Sequence, residues 1–113
     1  MLTSGDVVDL DLGTPAGNEA GFRHPAVVIT AQRILDRAST VIHVVPLTST
    51  LRESPSEIRI DPDTTNGLTL TSSAQCQHLR AVSPARVIDR RGNVGPTALT
   101  QIRETIGLIL DLP

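Results

Sequence analysis

The chain has 113 residues, which is enough for one domain with a hydrophobic core but not for two. Its hydrophobic fraction of 39% and charged fraction of 19% are ordinary for a globular protein. No apolar run approaches the ~20 residues that span a bilayer, and no signal-peptide pattern is visible. We therefore expect a single domain over residues 1–113, cytoplasmic and without a membrane partner. The one cysteine, Cys76, excludes an internal disulfide and a multi-cysteine zinc site.

Charge is distributed unevenly along the chain. All ten basic residues are arginine, and the net charge of −2 argues against a surface made for nonspecific nucleic-acid binding. Residues 1–22 carry four acids and no base, whereas residues 77–91 carry four arginines and a single acid. A local basic face on an acidic protein is therefore compatible with the sequence.

The first half of the chain predicts three strands and a short helical turn. Val8, Leu10 and Leu12 alternate with aspartates, which is typical of a half-buried strand. A later run is apolar on both faces, which indicates a central strand, and Pro46 near its end indicates a bulge or a sheet edge. The predicted elements are a strand at 8–12, a loop at 13–21, a strand at 25–30, a helical turn at 31–37 and a strand at 40–47.

The second half predicts further short strands and one C-terminal helix. The strands are predicted at 57–60, 68–72, 75–82 and 86–90, with a strong turn cluster at 61–67. Pro96 suits a first helical turn, and apolar residues then recur at helical spacing, namely Leu99, Ile102, Ile106, Ile109 and Leu110. This order indicates a mainly β fold, a small antiparallel barrel with a C-terminal α-helix packed on it.

Two strand ends carry the residues with the most evident chemistry. Arg23 and His24 lead into the second strand, and Thr48 and Ser49 follow the third. An arginine suits a phosphate clamp, and a histidine titrates near neutral pH. If neighbouring strands bring these groups together, they form a phosphate site. Otherwise they are a solvated loop base, a half-buried histidine and hydroxyls that satisfy local backbone groups.

The other candidate residues are less specific. His43 alternates within an apolar run, which is typical of a structural core histidine, whereas His78 lies near Arg80 and is the better site candidate. Phe22, the only aromatic residue, suits either a hydrophobic plug or a platform for a nucleobase. The three histidines have no metal-site spacing and Cys76 has no evident base partner, so we expect no metal ion and an inert, buried thiol.

Several short segments resemble, in order, the motifs of one known family. Residues 5–12 match G-[ED]-[IV]-W-x-[VA]-D-[LF], except that Val8 replaces the tryptophan. Further segments resemble G-[SN]-E at 17–19, R-P-[AV]-[VL]-V at 24–28, V-[VA]-P-[LVI]-T-[ST] at 44–49, [DE]-Q-[IL]-R-[ST]-[VI] at 77–82 and L-x-L-x-L-x-L at 106–112. By these motifs, the chain resembles the MazF/PemK family of toxin endoribonucleases over nearly its full length.

The resemblance implies an SH3-like antiparallel barrel of the MazF/CcdB type, which cleaves single-stranded RNA at short specific sequences, without a metal ion or another cofactor, and so inhibits translation and growth. It also implies a homodimer, for which the terminal helix and Val41–Leu47 would supply surface, and a cognate MazE-like antitoxin with a disordered tail. The family's catalytic pair is the Arg of R-P and the Thr of P-x-T. Only the latter carries over, as Thr48, because His24 occupies the arginine position and Arg23 precedes it.

RNA cleavage without a metal ion needs a base for the ribose 2′-OH, stabilisation of the phosphorane charge and a proton for the departing 5′-oxygen. We predict that Arg23 clamps the phosphate, His24 transfers protons and Thr48 hydrogen-bonds a non-bridging oxygen. The products would carry 2′,3′-cyclic phosphate and 5′-OH ends. The predicted RNA-binding residues are Glu19, Phe22, Ser49, His78, Arg80 and Arg86.

Two other functions stay open on the sequence alone. With His24 in place of the family arginine, the fold could serve as a catalytically impaired module that binds RNA or an antitoxin. A gyrase poison of the CcdB type is the third alternative. That group relies on an aromatic C-terminal tail, whereas this chain ends Ile109-Leu110-Asp111-Leu112-Pro113.

Overall fold

The computed structural model describes residues 1–13 and 23–113. Within these ranges the chain forms seven β-strands, two α-helices and two short 3₁₀ helices. The strands are β1 (Asp6–Asp11), β2 (Arg23–Val28), β3 (Ile42–Thr48), β4 (Glu57–Ile60), β5 (Ser72–Gln75), β6 (Arg80–Val82) and β7 (Val87–Asn93). The helices are α1 (Gln32–Leu35) and α2 (Gly95–Ile109), and the 3₁₀ helices cover Cys76–His78 and Pro84–Arg86. Apart from Gly13, the loop predicted at 13–21 lies outside the described residues.

The described strands form one antiparallel sheet with β3 near its centre. The hydrogen-bonded order is β4-β5-β3-β2-β1-β7, and β6 pairs with the first half of β3. Strands β4 and β7 end this path, so the described strands do not close a barrel. A mainly β fold with a C-terminal α-helix is confirmed.

Pro46 lies inside the sheet, where β3 changes partners. One edge of β3 pairs with β6 from Ile42 to Val44 and with β5 at Leu47 and Thr48. A proline cannot donate to a strand ladder, so it suits the interval between two partners. Pro46 therefore marks a partner switch in a central strand rather than a sheet edge.

Two apolar clusters cover the opposite faces of the sheet. Successive residues of a strand point to opposite faces, so adjacent apolar residues of β1, β2 and β3 contribute to both. The helix-side cluster contains Val7, Val27, Val45, Leu47, Ile60, Leu68, Ala74, Cys76, Val94, Leu99, Ile102 and Ile106. The outer cluster contains Val8, Leu10, Ala26, Val28, Leu35, Ile42, Val44 and Val82. The prediction of a central third strand with two apolar faces is confirmed.

Helix α2 buries only the first part of its apolar stripe. Pro96 lies in the first turn, as predicted, and Leu99, Ile102 and Ile106 pack against the sheet. The end of the helix and the residues after it leave an exposed apolar group, here called the C-terminal patch, of Leu108, Ile109, Leu110 and Leu112. Among the described residues, no helix is both long and apolar enough to cross a membrane.

The strands predicted at 68–72 and 75–82 are largely wrong. Residues 68–71 form no strand, and a 3₁₀ helix separates β5 from β6. The buried Asn66 side chain donates to the Asp61 carbonyl at 2.8 Å and accepts from the Leu68 N–H at 3.0 Å, which keeps the chain in a turn. Cys76 packs into the helix-side cluster, and this burial accompanies the break in the second predicted strand.

His43 is exposed, so its assignment as a core histidine was wrong. It lies between Ile42 and Val44, which point to the outer cluster. The alternation of side chains places His43 on the helix-side face, at an end of β3 that the helix-side cluster does not reach.

A buried carboxylate holds β7 against β1. The fully buried Asp6 side chain forms an ion pair with Arg90 Nε at 2.9 Å and accepts a hydrogen bond from Asn93 Nδ2 at 3.1 Å. It also accepts from the Thr3 N–H at 2.7 Å. A buried charge persists only with such partners. The Asp6 contacts therefore set the position of the residues along β7.

Candidate functional site

A polar cleft of about 320 Å³ opens where β2, β3 and β7 meet the segment before β5. It offers four side-chain hydroxyls, an imidazole and a guanidinium over an apolar base. The lining residues are His24, Pro25, Leu47, Thr48, Ser49, Leu68, Thr69, Leu70, Ser72 and Arg91. Hydroxyls and cationic groups that converge on one space are suited to anionic oxygen ligands.

An apolar cleft of about 330 Å³ adjoins the polar cleft and shares His24 with it. Its floor is aliphatic, and its rim carries an amide, a second imidazole and a guanidinium. The lining residues are Leu10, Leu12, His24, Ala26, Val44, Pro46, Gln75, His78 and Arg80. An apolar floor with a few convergent polar groups suits a flat organic group with a polar edge.

His24 occupies the junction of the two clefts. The register that pairs Ala26 with Pro46 continues towards His24 and Thr48, and both line the polar cleft. The His24 ring donates a hydrogen bond to the Leu47 carbonyl. Burial lowers the pKa of His24, and the charge of Arg80 lowers it further, although the bond to Leu47 acts in the opposite sense. The imidazole is therefore neutral at physiological pH and able to accept a proton.

Arg23 is held away from His24 by carboxylates. Neighbours in a strand point to opposite faces, and the Arg23 guanidinium bonds Asp89 at 2.6 Å and lies 3.6 Å from Asp9. The hydrogen bond to Asp89 is the main reason that the pKa of Arg23 is raised. Their adjacency in the sequence had suggested that Arg23 and His24 act in one site. The structure instead places their side chains apart.

Thr48 presents its hydroxyl in a defined orientation. The last residue pair between β3 and β5 is Thr48 with Ser73, which fixes its backbone. The Thr48 Oγ1 accepts a hydrogen bond from the Thr50 N–H at 3.1 Å. Because this bond occupies a lone pair of the oxygen, the hydroxyl proton can be donated to another group.

The buried carboxylate of Glu57 supports this strand end and the loop beyond it. Its side chain is 2% exposed and accepts hydrogen bonds from Gln77 Nε2 at 2.7 Å, Ser73 Oγ at 3.0 Å and Arg52 at 3.1 Å. The bond from Gln77 is the main reason that the pKa of Glu57 is lowered. Glu57 thus connects the β3–β4 loop to β5, next to the strand that ends at Thr48.

The remaining predicted residues are dispersed. Ser49 lines the polar cleft, and His78 and Arg80 line the apolar cleft. Arg86 donates to the Asp11 carbonyl at 3.1 Å, close to the end of the first described range. The predictions for Glu19 and Phe22 lie outside the described residues.

Sequence reasoning missed four polar residues of the clefts, namely Thr69, Ser72, Gln75 and Arg91. Arg91 lines the polar cleft and Gln75 lines the apolar cleft. The predicted strand at 86–90 stopped one residue before Arg91, and Gln75 was one of several polar residues in a predicted strand. Only their position after folding distinguishes them from other surface residues.

Neither a metal centre nor a reactive thiol is evident in the described part of the chain. In residues 1–13 and 23–113, no group of three or more His, Cys, Asp or Glu residues could hold a metal ion. Cys76 is buried, and burial raises the pKa of its thiol to about 11. The thiol is therefore protonated at neutral pH, and the prediction that Cys76 is buried is confirmed.

We predict that the pKa of His24 lies below the 6.5 of an unperturbed histidine. Arg80→Gln should raise it by removing a like charge, whereas Arg86→Gln, at a guanidinium bonded to Asp11, should leave it unchanged. An NMR pH titration of the ring resonances, assigned with His24→Gln, measures both effects. A pKa at or above 6.5 would contradict the expected burial.

The same lowered pKa has a consequence for stability. At pH values between the folded-state pKa of His24 and 6.5, the unfolded chain binds more protons than the folded chain. The contribution of His24 to the free energy of unfolding is therefore fully present above pH 6.5, and it is lost as the pH falls through the folded-state pKa of His24. The free energy of unfolding should decrease in that window for the wild type more than for His24→Gln.

Comparisons with known proteins agree with this fold. A model of the family described as PemK-like, MazF-like toxin of type II toxin-antitoxin system matches residues 3–110. Endoribonuclease MazF9 of Mycobacterium tuberculosis (strain ATCC 25618 / H37Rv) is 32% identical over 117 residues, which cover 99% of this chain and 98% of that protein.

Solved structures of low sequence identity show the same fold. A MazE-MazF crystal structure (Form-II) from Deinococcus radiodurans has a TM-score of 0.80 at 22% identity, over 99% of this chain and 97% of that one. An endoribonuclease in complex with its cognate antitoxin from Mycobacterial species has a TM-score of 0.77 at 21% identity, over 100% and 98%. The family match extends over almost the whole chain, and the resemblance seen in the motifs is confirmed. The chain belongs to the PemK-like, MazF-like toxin family of type II toxin–antitoxin systems.

Proposed function

We propose that this MazF-like toxin is an endoribonuclease, which cleaves single-stranded RNA where the polar and apolar clefts meet and thereby inhibits translation and growth. Family membership supports the toxin role, and the relative that is 32% identical is named an endoribonuclease. One structural observation carries the proposal. A half-buried histidine with a lowered pKa, His24, lines both clefts and shares the polar one with the Thr48 hydroxyl.

In the proposed reaction, the ribose 2′-oxygen attacks the adjacent phosphorus, so that a P–O2′ bond forms and the P–O5′ bond breaks. Neutral His24 takes the proton of the 2′-OH. Thr48 donates a hydrogen bond to a non-bridging oxygen as negative charge develops there. The departing 5′-oxygen receives a proton from the protonated form of His78, which lines the apolar cleft with His24. The products carry 2′,3′-cyclic phosphate and 5′-OH ends, and protons balance without a metal ion.

The apolar cleft is proposed to hold a nucleobase next to the cleaved bond. Among the described residues, no Phe, Tyr or Trp side chain lines this cleft, so the base would rest on aliphatic groups such as Leu10 and Pro46. Its polar edge would meet Gln75, His78 or Arg80 at the rim. Other proposed RNA contacts are Ser49 in the polar cleft, Arg86 near Asp11, and Glu19 and Phe22.

Arg23 has a smaller role in this proposal than its sequence position predicted. Its guanidinium is bonded to Asp89 and faces away from His24, so it contributes positive potential at the sheet edge rather than a phosphate contact. This arrangement also favours a second candidate function, a catalytically impaired module that binds RNA or an antitoxin. Cleavage assays separate the two functions.

The proposed partners are a cognate MazE-like antitoxin and a second copy of the chain, each chain forming one domain over residues 1–113. Structures of similar fold include toxins in complex with antitoxins. A disordered antitoxin tail with acidic residues would complement the arginines of the clefts. The dimer surface is assigned to the C-terminal patch alone, because Val44, Val45 and Leu47 are buried in the chain's own clusters.

Thr48→Val should reduce cleavage of a mixed RNA pool by about 10²–10³-fold, because it removes one donor to the developing charge while retaining the side chain's shape. Thr100→Val, on the exposed face of α2, is the matched control and should retain full activity. The assay contains EDTA, and the product ends are mapped. If the wild type cuts nothing in EDTA, or if Thr48→Val cuts as fast as the wild type, the proposed reaction is wrong.

The pH dependence of cleavage should follow the protonation of His24. Only the neutral imidazole accepts a proton, so kcat/KM for RNA should fall by about tenfold per pH unit below the lowered pKa of His24. His43→Gln, on an exposed histidine outside both clefts, should leave the profile unchanged. A flat profile from mildly acidic to mildly alkaline pH would remove His24 as a titrating catalyst.

Leu108→Glu should convert a dimer to a monomer, because Leu108 is 82% exposed in the C-terminal patch and a buried, unpaired carboxylate opposes association. Ile34→Glu, at a position that is 45% exposed on α1, should leave the oligomeric state unchanged. Sedimentation velocity distinguishes a dimer from the 12.0 kDa monomer. A monomeric wild type would contradict the proposed dimer.

A further inference from the structure

We propose that Arg91 is the residue that contacts the scissile phosphate and stabilises its negative charge during cleavage. This inference rests on the proposed ribonuclease function and extends it to a residue outside every motif of the sequence. His24 supplies no permanent charge in its neutral form, and Thr48 supplies a single hydrogen bond. A cationic group that reaches the same oxygen atoms would further stabilise the double negative charge of the phosphorane.

Arg91 is the cationic side chain that lines the polar cleft together with His24 and Thr48. Its side chain is 33% exposed, which leaves the guanidinium partly in contact with solvent and with any ligand of the cleft. Arg80 lines the apolar cleft, on the other side of His24. The two arginines are thus divided between the clefts, and the one beside the Thr48 hydroxyl is Arg91.

The backbone that carries Arg91 is held rigidly. A side chain at Gly67 would collide with the Arg91 carbonyl, and one at Gly92 would collide with the Thr65 carbonyl, so the turn at 61–67 packs directly against β7. The Asn93 N–H donates to the Thr65 carbonyl at 2.9 Å, which closes this contact. A preorganised donor loses little free energy to reorganisation when charge develops beside it.

The ion pairs of Arg91 and Arg23 also differ. Arg23 bonds Asp89 at 2.6 Å and lies 3.6 Å from Asp9. Within the described residues, Arg91 makes one ion pair, with the same Asp9 carboxylate at 3.6 Å, which is longer than a hydrogen bond. Asp9 therefore orients the Arg91 guanidinium without occupying its N–H donors. Those donors can form the forked contacts with phosphate oxygens that guanidinium groups favour.

The pair of variants Arg91→Gln and Arg23→Gln tests this assignment. Both remove one positive charge next to Asp9, so a general loss of charge affects them alike. Under single-turnover conditions at saturating RNA, Arg91→Gln should lower the cleavage rate by about 10²-fold or more, and Arg23→Gln by less than tenfold. Arg91→Lys should recover part of the rate, and Arg33→Gln, on α1, should match the wild type. Equal losses in Arg91→Gln and Arg23→Gln, or a larger loss in Arg23→Gln, would overturn the assignment.

A binding measurement tests Arg91 independently of cleavage. The probe is a fluorescein-labelled single-stranded DNA of mixed sequence, which lacks the 2′-OH and is not cut. If Arg91 contacts a phosphate, Arg91→Gln should make the slope of log affinity against log salt shallower by about 0.7, while Arg33→Gln leaves it unchanged. An unchanged slope in Arg91→Gln would overturn the phosphate contact. A wild type that binds this probe with the expected slope difference but cleaves no RNA would instead refute the proposed function and retain the contact.

Discussion

The pairing of β2 with β3 is the constraint on which the other features of the molecule depend. Both strands are apolar on both faces, so they lie between the helix-side and outer clusters, and the rest of the sheet is assembled around them. The register that sets Val27 against Val45 also brings His24 and Thr48 to one cleft. A shift by one residue would turn every side chain of a strand to the other face. The core therefore specifies how His24 and Thr48 are placed relative to each other.

Carboxylates divide the arginines of the chain between structural and functional positions. The segment 77–91 looks like one basic face in the sequence, but its four arginines have different environments. Arg90 bonds the buried Asp6, Arg86 bonds a backbone carbonyl, and Arg80 and Arg91 line different clefts. Strand alternation and the 3₁₀ helix before β7 separate them. An acidic protein can thus present positive charge at its clefts, while a buried carboxylate neutralises Arg90 and a backbone carbonyl holds Arg86.

Local patterns predicted most of the elements and failed where tertiary contacts dominate. The strand at 57–60 and the start of α2 agree with the sequence, since alternation and a proline in the first helical turn are local signals. The segment at 68–71 has a strand-like composition, but the Asn66 side chain holds the preceding turn. His43 has apolar neighbours and is nevertheless exposed, because no element in the described part of the chain covers that end of the sheet. Whether a side chain is buried depends on partners that are distant in the sequence, which local patterns do not show.

The sequence by itself determined the mainly β architecture, the terminal helix, the family motifs and the two strand ends that carry His24 and Thr48. These features follow from short-range periodicity and from residue types, which do not depend on how strands pair. The tertiary structure alone decided which arginine lies in the same cleft as His24 and Thr48. Arg23 adjoins His24 in the chain and is turned to the opposite face, towards Asp89, whereas Arg91 is distant in sequence and lines the same cleft. Adjacent residues of a strand point apart, and only sheet pairing can bring residues of separate strands together.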